Sequence, residues 1–182
     1  MMIDIYKFSI TGLSEINIDT TKSHICRSVY EQVNRSNGQK ICLSNSKITA
    51  KNTYKSGGVL QFSNGNLNRR FVSNISDPLG RWSVQGFVGK NGQHVFFFTL
   101  YMPCKKSKLV KGSTTAYAQQ EQILRTREGR YVEPRKQFIK DLDKVLASIQ
   151  FPSHLQCESR FVLSGDFNCD ITTDQDLLNL CM

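Results

Sequence analysis

The amino-acid sequence predicts an α/β fold in which mixed β-sheets are flanked by helices. Short apolar strand patterns alternate with segments of helical periodicity along the chain. The segment Lys90–Gln93 carries an Asn-Gly pair between two strand patterns, a hairpin signal that a purely parallel sheet does not contain. The 182 residues are enough for one domain with a proper core, so we expect a single domain over residues 1–182.

The first half of the chain is predicted to consist of strands and one helix. Residues 5–15 alternate loosely between apolar and polar side chains, as a strand does. Residues 24–35 carry apolar side chains at helical spacing, and Asn37-Gly38 ends this helix. Its candidate N-terminal caps are Asp19, Thr20 and Thr21. Further strands are expected at residues 41–48, 59–62, 70–75 and 82–88.

The second half begins with the most apolar strand. Residues 95–101 read VFFFTLY, which predicts a central strand covered on both faces. Helices are predicted at residues 114–127, closed by Gly129, and at residues 134–149, with Pro134 in the first turn. A strand leading into the sequence LSGDFN and a short helix at about residues 173–180 complete the order.

The charge balance favours a polyanionic partner. The chain has 24 Lys and Arg against 15 Asp and Glu, a net charge of +9. Nucleic acid is the first candidate, followed by acidic membrane surfaces and phosphate esters, while the plainer alternative is that the charge only aids solubility. A basic run at Lys105, Lys106, Lys108 and Lys111 is either a solvated loop or a loop that faces phosphate, and the sequence favours neither.

Cysteine spacing and hydropathy indicate the compartment. The six cysteines are scattered, with no CxxC pair and no histidine at zinc-ligand spacing, so we predict no zinc site and a reducing environment. The N-terminal residues MMIDIYKFSI lack the apolar run of a signal peptide, and the longest apolar run is too short to span a bilayer. We therefore expect a soluble intracellular protein with no membrane partner and no obligate protein partner.

The end of the last predicted strand carries the strongest chemical signal. Phe161–Leu163 form an apolar run, and Gly165 allows the backbone to turn after it. Asp166 and Asn168 then lie at the carboxyl end of the strand, where α/β folds place ligands. A carboxylate there can orient a water or hold a hard cation. The alternative is an ordinary turn, because Gly, Asp and Asn are common turn residues.

The sequence LSGDFN resembles the GDFN signature of the endonuclease/exonuclease/phosphatase superfamily. Three more segments resemble its motifs in the same order: GLSE, ending in Glu15, is similar to the LQE motif, LYMP, with Tyr101, to Y-x-P, and PRKQF, with Arg135, to the segment before the long helix. The segments SGGV at Ser56–Val59, SDPLGRW and TTAYAQQ are most similar to endonuclease-type domains of retroelements.

This resemblance implies two mixed, largely antiparallel β-sheets packed face to face with flanking helices. It also implies a metal-dependent phosphodiester hydrolase, closest to a retroelement-type DNA endonuclease, that uses Mg²⁺ or Mn²⁺. By the same resemblance Glu15 binds the metal, and Asp166 orients or deprotonates the attacking water. Asn168 and Tyr101 donate hydrogen bonds to the phosphorane oxygens, and Arg135 binds the substrate phosphate.

The chain departs from the family pattern at both ends. The strand with an Asn or Asp that precedes the glutamate motif is missing, and no histidine follows Asp166, whereas the family has a later Asp-His pair. The histidines present are His24, His94 and His154. We therefore expect a fold that is incomplete at both termini. An inactive remnant that binds nucleic acid or is only structural stays open as an alternative, as does a lipid or inositol phosphate substrate.

Overall fold

Two β-sheets and four α-helices form the protein in a computed structural model that describes residues 8–33, 39–104, 114–150, 159–170 and 172–181. The α/β class predicted from the sequence is confirmed. The strands are β1 (Ile10–Ser14), β2 (Lys40–Ser44), β3 (Val59–Ser63), β4 (Phe71–Ser76), β5 (Trp82–Val88), β6 (His94–Tyr101) and β7 (Ser159–Asp166). The helices are α1 (Ser23–Val33), α2 (Ala116–Glu128), α3 (Pro134–Gln150) and α4 (Gln175–Cys181).

The larger sheet has four strands in the order β4-β5-β6-β7. The predicted hairpin joins β5 to β6 as an antiparallel pair, through a short 3₁₀-helix at Lys90–Gly92. Strand β6 lies between β5 and β7, which confirms the central strand expected from its apolar run. Its pairing with β7 is parallel, so this sheet is mixed.

The smaller sheet has the order β1-β3-β2, and both of its pairings are antiparallel. The expectation that both sheets are mixed is therefore correct for the four-stranded sheet and wrong for this one among the described residues. Strands β1 and β2 both run opposite to β3, and each pairs with the same five residues of β3.

The main hydrophobic core lies between the four-stranded sheet and helices α3 and α4. Trp82 on β5 packs edge-on against Phe138 on α3, with ring centroids 5.6 Å apart. Alternate residues of β6 point into the same core, as the period of a strand requires. Its buried members are Trp82, Val84, Phe96, Phe98, Leu100, Met102, Phe138, Leu142, Leu146, Ile149 and Leu177.

Buried polar side chains join the two sheets by hydrogen bonds. Gln61 on β3 donates to the carbonyl of Phe97 on β6 at 3.1 Å, and Gln85 on β5 donates to the carbonyl of Lys40 on β2 at 3.0 Å. Ser44 donates to the carbonyl of Asp77 at 2.6 Å. Each of these directional contacts ties a side chain of one sheet to a particular backbone carbonyl in or beside the other sheet.

Several predicted boundaries shift. Strand β2 ends at Ser44 and not at residue 48, because beyond a single bridge from Ser46 to Leu79 the chain no longer pairs. Helix α2 begins at Ala116, where Thr115 caps it by accepting from the Ala118 amide, and Gly129 closes it in the left-handed conformation as predicted. The start of the first predicted strand, the Asn37-Gly38 pair and the basic run at residues 105–113 lie outside the described residues.

The helices of the described ranges do not resemble membrane spans. None of them combines the length and the apolar character that crossing a bilayer requires.

Gly165 is a position where the backbones of β6 and β7 come unusually close. A Cβ atom added there would lie 2.0 Å from the carbonyl oxygen of Leu100, and the φ angle of Gly165 is +142°. We predict that Gly165→Ala lowers the free energy of unfolding by at least about 3 kcal/mol, measured by urea denaturation.

Gly65→Ala is the matched control for this prediction. Gly65 also has a positive φ, of +60°, but no atom lies within 4 Å of an added Cβ. It should cost only about 1 kcal/mol, the strain of the left-handed conformation alone. Equal losses of stability in the two variants would mean that the close approach of the strands does not restrict which residue position 165 can hold.

Candidate functional site

The ends of β6 and β7 lie side by side. The parallel register pairs Tyr101, the last residue of β6, with Asp166, the last residue of β7. Just beyond them, the amide of Met102 donates to the carbonyl of Asp166 at 2.9 Å. Paired residues on neighbouring strands point to the same face, so the tyrosine and the carboxylate emerge together.

Glu15 reaches the same place from the other sheet. It directly follows β1 in the left-handed conformation, with a φ of 56°. The hydroxyl of Tyr101 donates to Oε1 of Glu15 at 3.3 Å. Two carboxylates from opposite ends of the chain, those of Glu15 and Asp166, therefore both lie near the hydroxyl of Tyr101.

Gly57 and Gly58 pack against the segment that follows β1 and against Tyr101. The carbonyl of Gly58 accepts from the amide of Ile16 at 3.1 Å, and that of Gly57 accepts from the amide of Asn17 at 3.0 Å. A Cβ atom at Gly57 would lie 3.3 Å from the ring of Tyr101. The small residues singled out in the sequence thus hold the segment after β1 against the tyrosine.

Asn168 holds the carboxylate of Asp166 in one orientation. Its backbone amide donates to Oδ1 of Asp166 at 2.9 Å, and its side-chain amide donates to Oδ2 at 3.0 Å. The second hydrogen of that side-chain amide is directed to the carbonyl of Met102 at 2.8 Å. Each carboxylate oxygen keeps a lone pair for a water, while the side chain of Asn168 has no further hydrogen to offer.

Arg135 lies beneath the two loops and not on the surface. It is 5% exposed, and its Nη1 donates to the carbonyl of Pro103 at 2.8 Å and, at longer range, to the carbonyls of Phe167 and Asn168 at 3.5 and 3.4 Å. Its Nη2 lies 3.9 Å from the carboxylate of Asp174. In this position the guanidinium joins the loop after β6 to the loop after β7.

Cys104 is a neighbour of the site that the sequence argument did not identify. Its thiol donates to Oδ1 of Asn168 at 2.9 Å, although the residue is exposed. The available signal was its position directly after the segment LYMP, because a residue that close to Tyr101 must lie near the strand end. A search of the cysteine spacings for disulfides and zinc ligands could not detect this hydrogen bond.

The surroundings keep Tyr101 protonated. Burial is the largest cause that raises the pKa of its hydroxyl, and the negative charges of Glu15 and Asp166 raise it further. A phenol with so high a pKa is neutral at any physiological pH. Tyr101 is therefore a hydrogen-bond donor here and not a base or a nucleophile.

The carboxylates of Glu15 and Asp166 are the kind of ligand that a hard cation uses. Among the described residues no group of three or more His, Cys, Asp or Glu side chains is arranged to hold a metal ion. Mg²⁺, however, is commonly bound through one or two carboxylates, with waters filling the other positions. Glu15 and Asp166 supply that kind of ligand, and they do not form a thiolate or imidazole site of the zinc type.

A buried ion pair anchors the segment that carries Glu15. Asp19 is 0% and Lys55 2% exposed, and the ammonium of Lys55 lies 3.5 Å from Oδ1 of Asp19. The carboxylate also accepts from the hydroxyl of Thr21 at 2.6 Å and the amide of Ala50 at 2.7 Å. Asp19 was a candidate cap of the first helix, but its contacts hold residues 19–21 to the segment before β3.

Comparison with known proteins adds no relative. A scan against models of protein families finds none that matches this chain, and a search of curated proteins finds no match either. The chemistry of the site is therefore inferred from its own geometry.

We predict that Arg135→Ala destabilises the protein by about 3 kcal/mol, because it leaves buried carbonyls without their donor and the nearby carboxylate of Asp174 without its counter-charge. Thermal and urea unfolding would measure the loss. The control is Lys136→Ala, since Lys136 is the neighbouring residue and is exposed. It should change stability by no more than about 0.5 kcal/mol. Similar behaviour of the two variants would contradict the described role of Arg135.

A second prediction concerns pH. Burial by itself raises the pKa of Asp19. The hydrogen bonds from Thr21 and Ala50 and the charge of Lys55 outweigh this effect, so the pKa of Asp19 in the folded protein is lower than its ordinary value of 3.8. The stabilisation from Asp19 is therefore present above pH 3.8 and is lost as the pH falls through the lower pKa of the folded state.

Asp19→Asn should cost about 3 kcal/mol near neutral pH, since it leaves Lys55 buried without a counter-charge. The difference from the unmodified protein should shrink as the pH falls below 3.8 and through the lower pKa of folded Asp19, because the side chain then loses the charge that Asn never has. Urea denaturation at several pH values measures this difference. A gap that stays constant over the whole range would show that the charge of Asp19 contributes nothing.

Proposed function

We propose that this protein is a metal-dependent phosphodiester hydrolase of the retroelement DNA endonuclease type. The observation that supports the proposal is the meeting of Glu15, Tyr101, Asp166 and Asn168 at neighbouring strand ends, where Tyr101 donates to Glu15 at 3.3 Å. These are the residues that the GDFN-type resemblance names. The net charge of +9 suits a nucleic-acid substrate.

In this proposal Asp166 receives the proton of the attacking water. Its two oxygens are held by donors from Asn168 at 2.9 and 3.0 Å, which fix the direction of the remaining lone pairs. A base that is already oriented loses little freedom when the substrate binds. Both hydrogens of the Asn168 side-chain amide are already donated, to Asp166 and to the Met102 carbonyl, so in this proposal Asn168 acts through Asp166 as a positioning residue and not as the phosphorane donor that the resemblance implies.

Tyr101 serves as the donor to the phosphate. Its hydroxyl stays protonated, and its hydrogen bond to Glu15 at 3.3 Å is long enough to be exchanged for one to a phosphate oxygen. Glu15 and Asp166 would hold Mg²⁺ or Mn²⁺, which when bound supplies positive charge that stabilises the phosphorane and the leaving oxygen. The resemblance assigns Arg135 to the substrate phosphate, but this residue is buried beneath both loops, and in this proposal it keeps their ends in register.

An inactive remnant that binds nucleic acid is the second candidate. It is favoured by the small number of acidic ligands, since the described residues contain no cluster of three metal-binding side chains. It is also favoured by the position of His94, which starts β6 and pairs with Ser159, at the opposite end of that strand from Tyr101. His94 is therefore not the general base of this site.

The test is nicking of supercoiled plasmid in the presence of Mg²⁺. We expect Asp166→Ala to lower the nicking rate at least about 100-fold, because it removes the base. Asp170→Ala is the control, since Asp170 is exposed in the same loop and, among the described residues, its carboxylate accepts hydrogen bonds from Thr172 alone. Both variants must keep the circular dichroism spectrum of the unmodified protein. Nicking that persists in Asp166→Ala would refute the proposed site.

A protein that binds DNA in a salt-sensitive way but never cuts it would support the remnant instead. A panel of lipid and inositol phosphates, assayed for phosphate release under the same conditions, separates a nuclease from a phosphatase with the same site.

A further inference from the structure

A basic pocket lies at the far end of the four-stranded sheet. It has a volume of about 370 Å³ and is lined by Arg69, Arg70, Phe71, Val88, Gly89 and Lys90. Arg69 and Arg70 end the 3₁₀-helix Gly65–Arg70, and Lys90 begins the one that joins β5 to β6. Three cations from two segments of the chain, Arg69 and Arg70 in one and Lys90 in the other, thus border one concavity that has no acidic residue in its described lining.

These cations have no counter-charge in the described structure. No ion pair within the described ranges joins Arg69, Arg70 or Lys90 to a carboxylate. All three residues are exposed at the rim of the pocket. Like charges held close together repel, and an anion bound among them relieves this repulsion.

The wall of the pocket is aromatic and carries a further cation. Phe71 is partly buried and packs edge-on against Phe87, with centroids 6.1 Å apart. The ammonium of Lys40 lies 5.3 Å from the centroid of the Phe71 ring. A flat apolar wall among cations suits a ligand that combines phosphate with a sugar or a base better than it suits a simple ion.

The pocket is separate from the candidate site. Val88 pairs with His94 at one end of the β5–β6 pair, and Trp82 pairs with Leu100 next to Tyr101 at the other. The length of β5 places the two regions roughly 20 Å apart, at the usual rise per residue of a strand. A phosphate held in the pocket is thus not the phosphate beside Asp166.

We infer that this pocket is a second nucleic-acid contact, which binds backbone phosphates of the DNA at a distance from the cleavage site. The inference rests on nucleic acid being the partner proposed above, but not on hydrolysis. Contacts of this kind hold the duplex without reading its sequence. They contribute to affinity and to its dependence on salt, and they do not change the chemistry at Asp166.

The experiment compares two triple variants by fluorescence anisotropy with a labelled duplex of about 20 base pairs, in the presence of EDTA so that no cutting occurs. The test variant carries Arg69→Gln, Arg70→Gln and Lys90→Gln. The matched control carries Lys136→Gln, Lys140→Gln and Lys144→Gln, three exposed lysines on α3. Both variants lower the net charge by three, so any difference between them reports location and not charge alone.

The test variant should bind at least about tenfold more weakly, and the slope of log affinity against log salt should become shallower by about 2 to 3. The control variant should stay within about threefold of the unmodified protein. Equal losses of DNA affinity in the two variants would contradict the proposed role of the pocket and would leave the proposed function unaffected. If the unmodified protein does not bind DNA, both the proposed role of the pocket and nucleic acid as the partner are contradicted. If it binds DNA but does not nick it, only the proposed hydrolysis is contradicted.

A further arm distinguishes nucleic acid from free phosphate. Replacing chloride by inorganic phosphate at equal ionic strength should displace little DNA, because one small anion meets only part of the pocket. Displacement of the DNA from the unmodified protein by millimolar phosphate, absent in the test variant, would assign the pocket to a free anion and contradict the inference.

Discussion

The parallel pairing of β6 with β7 is the constraint on which the site depends. It places Tyr101 opposite Asp166, and it requires a residue without a side chain at position 165, where an added Cβ would lie 2.0 Å from the Leu100 carbonyl oxygen. A shift of one residue would turn Asp166 to the other face of the sheet. The hydrogen bonds of Asn168 and the buried guanidinium of Arg135 then preserve the alignment beyond the ends of the strands.

The sequence predicted the parts of the fold that local patterns determine. The Asn91-Gly92 pair predicted the hairpin, the run VFFFTLY predicted the central strand, and Gly129 predicted the end of α2. Each of these signals acts over a few neighbouring residues. The motif residues also pointed to the strand ends that meet, but only because their order along the chain resembles a known pattern.

Contacts between distant segments could not be predicted in the same way. Nothing in the local sequence of Arg135 indicates that backbone carbonyls from two loops surround it, and Cys104 gives no local sign of its bond to Asn168. The pairing of Asp19 with Lys55 likewise depends on how β1 and β3 are aligned. Such contacts follow from tertiary register, which a pattern of neighbouring residues does not contain.

The central claim is that Glu15 and Asp166 form one cation-binding site. Titration of the ¹⁵N-labelled protein with Mn²⁺ tests it most directly, because a paramagnetic ion broadens the amide signals of nearby residues, whether or not the protein cuts DNA. We predict that the amides of Glu15, Tyr101 and Asp166 lose intensity together, while Val88 and His94 at the far end of the sheet keep theirs. Broadening near only one of the two carboxylates, or near neither, would contradict the account.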